Sequence, residues 1–425
     1  MLAGMLIAFA VLFAIGTPVA FAIGLAGVAA VLASGSLPLI LVPHRMVTQL
    51  DSYSLLAAPY FILAGLLMEK GGISVRLFAF ANALTRHWRG GLAQSAMGAS
   101  IGMAGLSGSG IADISAVGGV ATPGMLAKGY KPSFIASVLS AGGFLGPIIP
   151  PSILMIIYGS ITSVSVGGLF IAGVIPGLLL GASFMMVIWW RAGSLGYLGE
   201  PRATGREVWD SFRDAVWALV APVVLIGGIV SGVFTATEAG AIAALYAFLI
   251  GTFVYRELKP RHYFEVLLNA GLMTGGILFI IATAALLGWL MQRLNFPQMT
   301  VDALLRFTSS PEVAILFIVA LLLIVGCVIE VLAAAIVLIP VLDPLGVHFG
   351  FDPLHFAFII ILALQVGTVT PPMGVYLFLA NRIAGGNLGE TIREVMPYIM
   401  VMIAVTLLVA YVPPVATYLP GLFYD

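Results

Sequence analysis

Two stretches of small, oxygen-bearing residues hold most of the chemistry this chain can offer. In the run Gly105-Leu106-Ser107-Gly108-Ser109-Gly110, followed by Asp113, two hydroxyls and a carboxyl stand beside glycines that let backbones approach closely. Between Ser140 and Ser160, the glycines Gly142, Gly143 and Gly146 and the prolines Pro147, Pro150 and Pro151 interrupt any helix. Each proline removes a donor and keeps the residue before it from helical angles. The freed carbonyls suit a cation. The half-helix that begins at Pro151-Ser152 turns its positive end to the same spot and suits an anionic group. A simple proline kink would explain one such break; a second one at Gly367 to Pro372, with Thr370 inside it, favours function.

Intramembrane ionisable residues are costly and are functional candidates by default, which singles out Asp113, Glu238 and Glu330. For Glu238, in Thr235-Ala236-Thr237-Glu238, a structural hydrogen bond weighs at least as much as a transport role. An enzyme is the competing class. Gly105-Leu106-Ser107-Gly108 fits G-x-S-G, a serine motif similar to that of rhomboid-type intramembrane proteases, but their chemistry needs a histidine base on another span. His44, His87, His262, His348 and His355 all fall in predicted loops or at helix edges. There is also no H-E-x-x-H for zinc and no G-x-x-x-x-G-K-[ST] for ATP, so an ion gradient is the expected energy source, with no cofactor.

The elements that must position these residues are membrane helices. The 425 residues are 61% hydrophobic and 8% charged, against roughly half and about a quarter in soluble domains. Apolar runs of the length that spans hydrocarbon, about 20 residues, recur throughout. A barrel would instead alternate in polarity over roughly ten-residue segments. Zero formal net charge gives no reason to expect nucleic acid as a partner, and the single Cys327 cannot form an internal disulfide. Met1 to Pro43 carries no Lys or Arg and reads as membrane helix rather than a cleavable leader, as one long helix or two short ones.

An internal repeat organises the spans. Shifting the chain by 221 positions superimposes Gly146-to-Pro151 on Gly367-to-Pro372, both G-x-x-x-P-P. The same shift pairs Pro123 with Pro344, Pro132 with Pro353, Pro176 with Pro397 and Gly105 with Gly326. Residues 1–190 are predicted as the first repeat, 191–214 as a polar linker and 215–425 as the second. Each repeat should hold two or three spans, an amphipathic segment (Val75 to Arg89, then Thr300 to Pro311), a hairpin, a broken helix and a last span.

Charge predicts that the repeats are inverted. Lys70, Arg76, Arg86, Arg89, Lys128 and Lys131 mark the cytoplasmic side by the positive-inside rule, and Asp352 replaces Lys131 in the second repeat. The linker and Arg256, Lys259, Arg261, Arg382 and Arg393 then also fall inside, with Arg45 as the exception.

The first tip, the Ile-Pro-Pro-Ser ending at Ser152, Phe234-Thr-Ala-Thr-Glu238 and the Thr-Pro-Pro within Gly367 to Gly374 together resemble the large permease subunit of tripartite ATP-independent periplasmic (TRAP) transporters. The resemblance covers essentially the whole chain. It implies an all-helical protein of about 11–12 spans plus two re-entrant hairpins, built as a scaffold and a moving elevator domain, in the bacterial inner membrane. It further implies sodium-driven import of carboxylates such as dicarboxylates, sialic acid or other sugar acids. Its implied partners are a soluble periplasmic binding protein and a small four-helix membrane subunit.

By the same resemblance, one sodium site would use Ser107, Gly108, Ser109, Gly143 and Gly146, and a second would use Val328, Glu330, Gly367 and Thr370. Asp113, Ser152, Pro150, Pro151, Pro371 and Pro372 are the expected substrate contacts. The sequence departs from the family pattern at Ala363 and Gln365, where Asn and Glu are expected, and at Glu330, where Asp is commoner. A stand-alone dicarboxylate transporter or ion antiporter of the same wider fold is the alternative reading.

Overall fold

The computed structural model describes residues 1–424, all in helices and connections, with no strand among the described residues. The first half comprises α1 (Leu2–Ala14), α2 (Val19–Ser34), α3 (Leu41–Leu50), α4 (Ala57–Lys70), α5 (Ile73–Thr85), α6 (Gly91–Ser107), α7 (Gly110–Ala127), α8 (Pro132–Phe144), α9 (Ile153–Thr162) and α10 (Val166–Leu195). The second comprises α11 (Gly205–Val230), α12 (Ala236–Leu249), α13 (Pro260–Arg293), α14 (Phe296–Leu305), α15 (Pro311–Gly326), α16 (Val331–His348), α17 (Pro353–Val366), α18 (Val375–Ala384), α19 (Leu388–Tyr411) and α20 (Pro414–Tyr424). Shifted by 221 positions, α15 to α19 start within a residue or two of α6 to α10.

Residues 1–34 form two helices, separated at the Gly16-Thr17-Pro18 step. The polar stretch 191–214 is mostly helix: α10 runs in to Leu195 and α11 starts at Gly205. Thr204 and Glu207 cap α11 reciprocally, the Thr204 Oγ1 accepting from the Glu207 N–H at 3.2 Å. Glu238 has the same task at α12, where its carboxylate accepts from the Thr235 N–H at 2.8 Å. Its charge serves a helix start.

Among the described residues seven helices are long and apolar enough to cross a membrane, eight if α3 and α4 count as one bent span. The expected 11–12 spans must therefore include shorter pieces such as α8 with α9 and α17 with α18. The bend between α3 and α4 is 63° and falls at Asp51-Ser52. In the second half Leu272 and Met273 occupy those repeat positions and α13 runs straight through, since neither side chain competes for backbone hydrogen bonds as Asp and Ser do.

The halves interlock through their broken helices, α18 packing on α7 and α8, while α12 lies against α4 and α13 against α2, α3 and α4. Basic residues assigned to the inner side by charge pair with the linker or across the halves: Lys70 with Glu265 at 2.9 Å, Arg86 with Glu207 at 3.0 Å, Lys128 with Glu200, and Arg191 with Glu394 at 2.5 Å. Exposed pairs of this kind contribute about 0–1 kcal/mol each, so they align helix ends more than they stabilise the fold. Arg293 lies at the opposite end of α13 from Lys259, and Arg306 follows α14. Both therefore join Arg45 as exceptions to the positive-inside pattern.

Lys131 and Asp352 are both exposed and sit at equivalent starts of α8 and α17. If the repeats are inverted, single cysteines at these positions should react with an impermeant maleimide from opposite sides of the membrane. Labelling of both from one side would remove the inversion.

Candidate functional site

At the first tip α6 stops because Gly108 takes φ 61, a left-handed angle that glycine adopts without a steric cost. The Ser107 hydroxyl closes the turn, accepting from the Ser109 N–H at 3.1 Å and donating to Asp113 Oδ1 at 2.5 Å. Asp113 is fully buried, and its Oδ2 has no partner among the described residues. At the break after α8, Ser152 caps α9 by accepting from the Met155 N–H at 3.4 Å and donates to the Pro147 carbonyl at 2.7 Å.

Tip and break touch through glycine. A Cβ on Gly108 would lie 2.5 Å from the Pro151 carbonyl oxygen, and one on Gly146 would lie 2.7 Å from both Asp113 Oδ2 and the Gly110 nitrogen. The unpartnered oxygen of Asp113 thus faces Gly146 across the contact.

The second tip repeats the plan with different atoms. A Cβ on Gly326 would lie 2.6 Å from the Leu364 carbonyl, and the Met373 N–H donates to the Cys327 carbonyl at 3.3 Å. Glu330, at the repeat position of Ser109, caps α16 by accepting from the Ala333 N–H at 3.0 Å. Pro150-Pro151 and Pro371-Pro372 are both cis.

Between the two tips and the two breaks lies a cavity of about 140 Å³. Gly108, Ser109, Glu330 and Gly367 line it, as does Gly374. Four helices begin at its wall: Ser109 precedes α7, Glu330 precedes α16, Ile153 opens α9 and Val375 opens α18. Their positive ends, two of them partly capped by Ser152 and Glu330, make the cavity suited to an anion. α15 and α17 end there, at Gly326 and near Gln365, so carbonyl oxygens for a cation lie close by.

Several expected substrate contacts lie elsewhere. Asp113 is fully buried with its Oδ1 on the Ser107 hydroxyl and does not line the cavity, Ser152 spends its hydroxyl on the break, and Pro150, Pro151, Pro371 and Pro372 shape the breaks without lining the cavity. Ser107, Gly143 and Gly146 gather around Asp113 instead. A Cβ on Gly143 would lie 3.0 Å from the Gly110 carbonyl. Hydroxyl, carboxylate and carbonyl oxygens fit a hard cation such as sodium. The second set fits less well: Val328 turns its side chain outward and the Thr370 hydroxyl donates to the Val366 carbonyl at 2.8 Å.

Gln365, Thr368 and Tyr376 line the cavity and were not singled out from the sequence as contacts. Gln365 is fully buried with both amide atoms unpartnered among the described residues, an expense that a bound ligand would offset. Its signal was present: it is the single amide in the apolar run Phe356 to Val366.

The family model for the "Tripartite ATP-independent periplasmic transporter, DctM component" matches residues 6–415. The chain is 40% identical over 371 residues to the C4-dicarboxylate TRAP transporter large permease protein DctM of Pseudomonas aeruginosa, covering 87% of each chain. It is 36% identical over 414 residues to the isethionate TRAP transporter permease protein DctMQ of Oleidesulfovibrio alaskensis, matching 97% of this chain but only 65% of that protein's length. In fold it is similar to the Alcanivorax borkumensis YdaH transporter, with a TM-score of 0.56, 15% identity and 86% of each chain covered.

Proposed function

This chain belongs to the tripartite ATP-independent periplasmic transporter family, DctM component, and on that premise we propose that it carries out sodium-coupled import of a small organic anion as the large membrane subunit. The observation that carries the reading is the single cavity enclosed by both tips and both breaks, with four helix N-termini at its wall. The N-termini and the Gln365 amide receive the anion's charged end, a carboxylate or sulfonate of the kind that relatives' names record. Sodium sits behind each tip, at Asp113 in the first half. The hairpins and broken helices move as one elevator against the remaining scaffold helices, within the inner membrane.

The tripartite periplasmic family supports two partners: a periplasmic binding protein delivers the solute and a small four-helix subunit packs beside the scaffold. Proteoliposomes test all of this together. Uptake of the binding protein's ligand should require that protein, the small subunit and an inward sodium gradient. Full uptake by this chain alone, or uptake driven by protons with sodium absent, would overturn the reading.

A further inference from the structure

A second cavity, of about 270 Å³, lies where α3, α9, α13 and α16 meet. It shares two walls with the central one. α9 runs from Ile153 at the central cavity to Thr162 at this one, α16 runs from Val331 to Pro340 and Asp343, and the two helices pack together. The nearest lining residues of the two cavities, Leu154 and Ile161 on α9 and Leu332 and Ile336 on α16, are about 10 Å and about 6 Å apart along the helices.

Its charge is unusual for a cavity in a membrane protein. Arg45 lines it, stacked over the Trp289 ring at 4.7 Å, and Arg293 stacks on the same ring at 5.7 Å. Neither guanidinium makes an ion pair among the described residues, and the Nε of Arg45 is buried without a partner. Asp343 also lines the cavity and pairs with neither arginine, and Gln49 and Gln292 complete its polar side. Arg45 is the unpaired fork in the lining and Arg293 stands on the same indole outside it, so with the one carboxylate of Asp343 the cluster stays net positive and Arg45 presents a fork for a planar anion.

We infer that this cavity is an outer anteroom that binds a small hydroxylated monocarboxylate, its carboxylate on Arg45 and its hydroxyls donating to Asp343 and the two amides. The inference rests on the transport reading above in placing the site on the solute's route to the central cavity. Asp343 sets the preference, because a second carboxylate at that end would meet like charge.

Potassium gluconate titrated into the purified full chain, against potassium chloride at equal ionic strength, should change the Trp289 fluorescence as the Arg45 guanidinium leaves the indole for the carboxylate. The change should vanish in Trp289→Phe. Arg45→Gln should raise the half-saturating gluconate concentration at least tenfold, and Arg45→Lys, which keeps the charge and loses the fork, by several-fold. Should Arg45→Gln fail to fold, Gln292→Leu carries the test with an expected several-fold weakening.

No fluorescence change, or one that these variants leave untouched, would overturn the site. Succinate binding as tightly as gluconate would overturn the assignment of Asp343 to hydroxyls. Gln365→Leu in the central cavity separates the two readings: it should abolish uptake and leave the Trp289 titration intact. Retained uptake in that variant would count against the central cavity, not against this one.

Discussion

Gly108→Ala should lower uptake by the assembled transporter about a hundredfold while the chain still inserts and purifies normally. Two costs combine at this one atom. An alanine at φ 61 pays roughly 1–2 kcal/mol for the left-handed angle. The added carbon would also lie 2.5 Å from the Pro151 carbonyl oxygen and 3.2 Å from Ser152 Cα. These are backbone atoms of the opposing break, which cannot rotate away, and overpacking of this kind costs about 1–3 kcal/mol.

A hundredfold loss corresponds to about 2.7 kcal/mol, well within that combined range. The effect arises because the tip must be seated on the break to form the cavity, and a rarer seated state lowers apparent affinity in proportion. Gly119→Ala, in α7 just beyond the tip and with nothing within 4 Å of the new carbon, is the control and should be silent. Wild-type uptake in Gly108→Ala would show that the tip need not seat on the break at all.

How far the sequence could foretell this contact depended on which force sets each feature. The repeat was readable because glycine and proline act through the backbone alone: G-x-x-x-P-P breaks a helix whatever surrounds it, and both breaks appear at the shifted positions. The separation of α1 from α2 follows the same logic at Gly16-Thr17-Pro18, though the apolar run on both sides obscured it.

Side-chain direction was not readable in this way. Asp113 lies four residues beyond Ser109, so it shares a face with the tip and counts as near the solute in one dimension. In three dimensions it is buried against the Ser107 hydroxyl and does not line the cavity. Gln365 stood out in the sequence only as a departure from the family pattern, not as a contact. Being neutral, it shows its cost only when burial leaves its amide without a partner. Glu238 shows the converse: a charge that looked intramembrane is half of a capping box.

The burial of Asp113 leads to the other large expected effect. Its carboxyl has no Lys or Arg in ion-pair contact among the described residues, and it is fully enclosed. A buried ionised group without a counter-charge costs several kcal/mol, so the site calls for a bound cation or a proton. Oδ2 points toward Gly146 with nothing attached, and the Gly110 and Gly143 carbonyls lie at the same contact. On the transport reading the cation is sodium.

Asp113→Asn then separates charge from shape. The amide oxygen can still accept from Ser107, so the tip should keep its turn while the counter-charge for the ion is gone. Removing one partner of a buried ion pair costs about 3–5 kcal/mol, so the sodium concentration for half-maximal uptake should rise at least a hundredfold. Sodium should also lose its power to protect the purified chain against heating, relative to potassium. Solute should still reach the outer cavity, since Arg45 and Trp289 are untouched. If Asp113→Asn keeps wild-type sodium dependence, the carboxyl is neutral in the working protein and the first tip holds its ion, if any, through carbonyls and hydroxyls alone.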